Sequence, residues 1–209
     1  MPAIAITVEV KGDSKLELLQ QEMDWPQKVG FADHVAGAIE EMTRAHIVTA
    51  AQTRHTTATR LGANPTDYLL NKAASVEAIG SPGRVLLSVS GAIFKRTFQP
   101  VTITGGTGPG TSPYKLPIML SIPVTAEAYG KRPYEVSGKL FVYRSKGGKG
   151  PAFLARRDGK TMKFLFLLKK TVVLPQDRGL LPSEEEFGQC VERAADDELE
   201  LMKRRLTSA

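Results

Sequence analysis

The stretch Lys139–Pro175, KLFVYRSKGGKGPAFLARRDGKTMKFLFLLKKTVVLP, decides the fold class. It contains three apolar runs, Leu140–Tyr143, Ala152–Ala155 and Phe164–Val173. Two turns rich in Gly and basic residues separate them, Lys146-Gly147-Gly148-Lys149-Gly150 and Arg156-Arg157-Asp158-Gly159-Lys160. Short apolar runs punctuated in this way predict an antiparallel meander. Phe164–Leu168 is apolar at every position, which predicts a strand covered on both faces. Isolated hairpins are marginal in water, so the meander needs a packing partner. Phe31–Arg54 is the expected partner: Val35, Ile39, Met42 and Ala45 recur at helical spacing along it. The predicted fold is α+β, an antiparallel sheet packed against a long amphipathic helix, with an extended loop or arm and a C-terminal helix.

Outward from this centre, Ala3–Val10 alternates as a strand and Lys15–Met23 has the spacing of a short helix that Trp25-Pro26 ends. The long helix closes at Arg60-Leu61-Gly62, and Asn64-Pro65 predicts the start of another helix running through Tyr68, Leu69, Ala73 and Val76. Ser81-Pro82-Gly83 is a turn before the strand Arg84–Ser90. Residues 91–117 read as a flexible arm, because Gly105–Pro113 has almost nothing to bury. Strand signal returns over Ile118–Val124. Pro182-Ser183-Glu184-Glu185-Glu186 is a capping box, and Phe187, Val191, Ala195, Leu199, Met202 and Leu206 make an apolar stripe on a helix over 183–209. With 209 residues and 42% hydrophobic content, the chain suits a single domain, 1–209, with 1–30 as its N-terminal strand and helix.

The composition bounds the function. There is no stretch of about eighteen uncharged apolar residues and no basic-then-apolar leader, which predicts a soluble protein made in the cytoplasm with no membrane partner. Cys190 is the one cysteine, so no internal disulfide forms. His34, His46 and His55 show neither i, i+4 pairing nor an H-E-x-x-H pattern, and no zinc site is expected. Gly105–Gly110 and Gly147–Gly150 match neither phosphate-loop pattern and read as turns. Ser88 and Ser90 lack a nucleophile elbow, and Cys190 has no histidine near it in sequence. The expectation is a protein that is not an enzyme and takes no cofactor. An enzyme of another type would need a pocket converging on Arg54, His55 and a carboxylate.

The formal charge is +6 and the isoelectric point about 9.4, with basic residues gathered between Lys131 and Lys170 and acidic ones between Glu184 and Glu200. Lys146, Lys149, Arg156 and Arg157 are the expected basic surface. Cations in turns and at sheet edges also guard against edge-to-edge pairing. Nucleic-acid binding would want exposed aromatic rings among them, for which Tyr129, Tyr134 and Tyr143 are available.

Several blocks in order carry a family likeness. They are Arg54-His55, Arg60-Leu61-Gly62-Ala63-Asn64-Pro65, Ile93-Phe94-Lys95-Arg96-Thr97-Phe98-Gln99-Pro100, Leu120-Ser121-Ile122-Pro123-Val124, Glu127-Ala128-Tyr129-Gly130-Lys131-Arg132, Leu140-Phe141-Val142 and Ala152-Phe153-Leu154-Ala155-Arg156-Arg157. Over roughly residues 31 to 182 the chain resembles the virion morphogenesis or tail-completion proteins of tailed phages and prophages. The family's Gly-Gly-Thr turn comes soon after the aromatic-basic segment, whereas here Gly105-Gly106-Thr107 lies several residues later in a longer loop. The resemblance implies a non-enzymatic structural protein of the neck or head-tail junction. It would form a homo-oligomeric ring, with other phage head-tail or tail proteins as partners and passing, non-specific DNA contact in the channel. It would be found in the bacterial cytoplasm during assembly and then in the virion. Phe94, Lys95, Arg96 and Phe98 in the arm, with Tyr129, Lys131 and Arg132 at the hairpin, are the expected contact residues. The alternative is a basic nucleic-acid-binding module.

Overall fold

The computed structural model describes residues 3–9, 25–54, 56–105, 119–144 and 150–207. The expected helix over Lys15–Met23 and the Gly106–Pro113 part of the loop lie outside the described residues, as do His55, Lys146 and Lys149. The fold is α+β, and its contacts divide the chain into two compact units. Unit 1 comprises Met1–Thr53, Asp67–Gln99 and Gln176–Ala209, and unit 2 comprises Arg54–Thr66 and Pro100–Pro175.

In unit 1, strands β1 (Ala3–Glu9), β2 (Val76–Ser81) and β3 (Arg84–Ser90) form an antiparallel sheet in the order β1-β3-β2. β3 alternates as its β-branched sequence requires, burying Val85, Leu87 and Val89. β2 and β3 are joined through Pro82 and Gly83, whose φ of +78° suits glycine. Helix α1 (Trp25–Thr53) crosses this sheet and buries Phe31, Val35, Ile39, Thr43 and Ile47 at intervals of four. The sheet under the long helix is therefore the N-terminal one, whereas the Lys139–Pro175 meander belongs to unit 2. β2 escapes sequence reading because Val76 continues the helical spacing of the short helix Tyr68–Ala73, while Glu77, Ala78 and Gly80 are poor strand formers.

Two polar contacts fix the edge of β2. Glu40 Oε2 accepts from the Ala78 amide (3.0 Å), and Arg44 Nη2 donates to the Val76 carbonyl (3.1 Å) and to Glu40 Oε1 (2.7 Å). Side chains of α1 thus occupy backbone groups that an edge strand would otherwise offer to another chain. Trp25-Pro26 opens α1, as a first-turn proline permits. Asn64-Pro65 likewise precedes the next helix without capping it: the Asn71 amide donates to the Asp67 carbonyl (2.8 Å) and the helix begins at Tyr68.

The C-terminal helix (Glu184–Thr207) lays Phe187, Cys190, Val191, Ala194 and Ala195 into the same core. Its capping box forms as predicted. The Ser183 amide donates to Glu186 Oε2 (2.7 Å), and the Glu186 amide donates to Ser183 Oγ (3.2 Å).

Unit 2 holds the meander. Strands β5 (Leu120–Pro123), β6 (Leu140–Arg144), β7 (Ala152–Asp158) and β8 (Thr161–Lys169) form an antiparallel sheet in the order β5-β8-β7-β6. A second ribbon pairs β4 (Val101–Thr104) with β9 (Thr171–Leu174). The third apolar run of the sequence thus breaks at Lys170 and serves two sheets. Leu154 pairs with Phe166 and Ala155 with Phe164, which leaves Leu165 as a bulge residue. Leu165 and Phe166 are both fully buried because the bulge turns them into one core cluster, whereas Phe164 and Leu167 on the opposite face stay half-buried, so the strand is covered fully on one face only. One face carries Leu140, Leu154, Phe166 and Leu168, closed over by Ala128 and Val136 from the segment after β5.

Candidate interaction surface

The expected contact residues divide between the units. Phe94 is the clear correction: it sits on the helical turn Ala92–Thr97 with no exposed surface and belongs to the unit 1 core. The chain reaches that turn through Gly91 at φ +137°, a backbone angle that favours glycine, and the ring then points inward. So the part of the arm expected over 91–105 is ordered, as a core-packed turn followed by β4. Arg96 is drawn into the same structure. Its carbonyl accepts from the Asp177 amide (2.7 Å) and its guanidinium lies 3.9 Å from Asp177 Oδ2. Gln176 Nε2 donates to the Thr97 and Phe98 carbonyls (3.0 and 3.2 Å), which holds the turn from its far end. Lys95 and Phe98 stay exposed, Phe98 at 57%.

In unit 2, Gly130 (φ +73°) turns the Tyr129–Arg132 segment. Tyr129 is half-buried, while Lys131 and Arg132 are exposed. The Arg132 guanidinium donates to Tyr134 Oη (2.6 Å) and lies 5.8 Å from that ring's centre. Sequence reading gave Tyr134 little weight, yet at 69% exposure it is the most open aromatic ring among the described residues.

Arg156 is the second correction to the expected basic surface. Its Nη1 donates to Glu127 Oε1 (2.6 Å) and to the Ser137 carbonyl (2.8 Å), and Nη2 donates to Glu127 Oε2 (3.2 Å). Lys163 Nζ donates to Glu127 Oε2 at 2.6 Å. Glu127 therefore joins two strands of the meander from outside the sheet, and Lys163 and Arg156 together lower its carboxyl to about 2. This is a structural ion triad. No sequence spacing reveals it, because Glu127 lies 29 and 36 residues from its partners.

Arg157 remains exposed and faces the other way. Partners directly opposite in an antiparallel sheet share a face. The pairs Phe141 with Ala155, Tyr143 with Phe153, Ala155 with Phe164 and Arg157 with Met162 therefore place four aromatic rings, Met162 and Arg157 on one side. The Phe164 ring centre is 5.2 Å from that of Tyr143 and 5.1 Å from that of Phe153. All four rings are half-buried and Met162 is 40% exposed. Beside them lies a groove of about 630 Å³ lined by Phe141, Tyr143, Arg157, Lys160 and Met162. Sequence alternation hints at this face within β6 and β7, but the register that unites the rings is long-range.

The units also separate the charge. Unit 2 contains 15 Lys and Arg against 3 Asp and Glu, a formal +12; unit 1 contains 13 against 19, a formal −6.

The two described histidines, His34 and His46, do not converge on a site. His46 is half-buried, with Nε2 3.1 Å from the Gly179 carbonyl and Nδ1 3.8 Å from Glu186 Oε1, while His34 is exposed. Cys190 is buried on the C-terminal helix, and burial pushes its thiol up, away from the reactive thiolate. Among the described residues, no group of three His, Cys, Asp or Glu could hold a metal, and no helix is long and apolar enough to cross a membrane. Comparison with protein families, with curated proteins and with solved structures finds no significant match.

Proposed function

We propose that this chain is a non-enzymatic structural subunit of tailed-phage or prophage virion assembly, a tail-completion or neck protein at the head-tail junction that self-associates into a ring. The motif blocks over residues 31 to 182 support the phage assignment. The segregation of charge, +12 on unit 2 and −6 on unit 1, is the observation that supports self-association. A closed ring needs two unlike faces, each complementary to the other on the next copy. Unit 2 of one copy and unit 1 of the next supply that pair, with exposed Glu184 and Glu185 at the start of the C-terminal helix as acidic contacts. The protein acts in the bacterial cytoplasm during assembly and then in the virion.

The test is the solution mass by light scattering on a sizing column, at low and moderate salt. A discrete multimer is expected at low salt, reverting toward monomer in the Glu184→Lys, Glu185→Lys variant. A monomer at every salt and protein concentration overturns self-association. Deletion of the gene, followed by electron microscopy of lysates, tests the phage role: separate heads and tails are expected, and normal yields of joined virions overturn it.

A further inference from the structure

We propose that the aromatic face of the unit 2 sheet, entered at the groove between Phe141, Tyr143 and Met162 with Arg157 and Lys160 at its rim, binds single-stranded nucleic acid. The inference stands apart from ring assembly and rests on two observations.

The first is the formal excess of positive charge in unit 2. Of the three carboxylates in unit 2, Glu127 is committed to Arg156 and Lys163, Glu135 Oε2 accepts from the Arg132 amide (2.7 Å), and Asp158 lies 3.9 Å from Arg156 Nη2. Twelve formal charges remain in excess. Phosphates neutralise such an excess with release of counterions. Arg157 and Lys160 are exposed at the groove, and Lys169 is exposed at the far end of β8.

The second is the aromatic lining. A charge field alone would serve any polyanion, but here the cations border half-buried rings on a sheet face, and base stacking on aromatic side chains is what single-strand binding proteins add to a basic groove. The groove's 630 Å³ is within the range of small-ligand sites and accommodates one or two bases. Duplex is disfavoured by shape. The major groove admits a helix or a two-stranded ribbon rather than a four-stranded face, and bases stacked within a duplex do not offer their flat faces to the rings. An acidic peptide would satisfy the cations and leave the rings without a matching partner.

Binding is measured by fluorescence anisotropy with a labelled twenty-nucleotide oligo(dT), the same length of blunt duplex, and polyglutamate as competitor. Solution mass is recorded on the same samples, so the result holds for monomer or ring. The single strand should bind at least fivefold more tightly than duplex at 0.15 M salt and resist polyglutamate. Tyr143→Leu, which keeps the site apolar, should weaken oligo(dT) by about tenfold while leaving duplex binding unchanged. Arg157→Ala with Lys160→Ala should reduce the salt slope by about 1.4, at 0.7 per lost phosphate contact. Arg84→Ala, at an exposed site in unit 1, should do neither. Equal affinity for both nucleic acids together with indifference to Tyr143→Leu would overturn the proposal, as would ready displacement by polyglutamate. Circular dichroism of each variant confirms folding, and Tyr143→Phe, which retains a ring, should restore wild-type affinity.

Discussion

The approach of α1 to β2 makes two identical substitutions act in opposite directions. A Cβ placed on Gly80 would lie 2.2 Å from the Ala32 carbonyl oxygen and 2.4 Å from its carbon, both backbone atoms of α1. Neither atom can swing aside as a side chain would, so Gly80→Ala must push the helix from the sheet and loosen Phe31, Val35 and Ile39 beneath it. Overpacking of this kind costs about 1–3 kcal/mol, and rigid backbone on the other side places Gly80→Ala near the upper end. Gly37, on the same helix, has open space where its Cβ would go. Gly37→Ala should stabilise by about 0.5–1 kcal/mol through helix propensity. The two variants should thus differ by about 3 kcal/mol. At a urea slope of about 2 kcal/mol/M, their midpoints should stand about 1.5 M apart, on either side of wild type. Urea titration followed by far-ultraviolet circular dichroism reads this directly. Coincident midpoints, or a Gly80→Ala protein as stable as wild type, would refute the close packing of helix on sheet.

Three further outcomes follow from individual groups. Glu127 is held at about 2 in the fold against an ordinary 4.5, so its contribution is complete above pH 4.5 and disappears as pH falls from 4.5 toward 2. The full shift corresponds to about 3 kcal/mol, which solvent at a carboxylate 26% exposed reduces to about 1–2 kcal/mol; Glu127→Gln should remove that part of the acid dependence in a pH series of urea melts. The Thr43 hydroxyl is fully buried with no hydrogen-bond partner among the described residues, so Thr43→Val should stabilise by about 1 kcal/mol, seen as a Tm rise of about 2–4 °C. Ser183→Ala should cost about 1 kcal/mol by opening the capping box. It should also let the Glu186 carboxyl, which the Ser183 amide and hydroxyl hold below its usual range, move up in an NMR titration.

Local chemistry accounts for what the sequence made legible. The β3 strand, the Pro82-Gly83 turn, the Ser183 capping box, the C-terminal stripe from Phe187 to Leu199 and the meander all arise from residues near one another in the chain, and all are present in the structure. The long helix, expected to close at Arg60-Leu61-Gly62, instead ends at Thr53, and Gly62 at φ +63° closes the separate helical turn Thr56–Leu61. The failures are long-range. Which sheet the long helix covers depends on contacts between Ala32 and Gly80 and between Glu40 and Ala78, and no local pattern encodes them. Phe94 lies in an aromatic-basic segment that reads as surface, yet one phenyl ring turned inward separates it from Lys95. Arg156 and Arg157 are adjacent and chemically alike, and strand alternation sends one to Glu127 and the other to the opposite face.

The chain passes between its two units four times, after Thr53, Thr66, Gln99 and Pro175. Unit 2 is therefore synthesised in full before the C-terminal helix exists. Because chains emerge from the ribosome N-terminus first, the unit 1 core waits for Phe187, Cys190, Val191, Ala194 and Ala195 while unit 2 already has every residue it needs. In that interval the apolar surface of α1 that these residues cover is open to solvent. The order of translation thus leaves the acidic unit as the late and vulnerable half of the molecule.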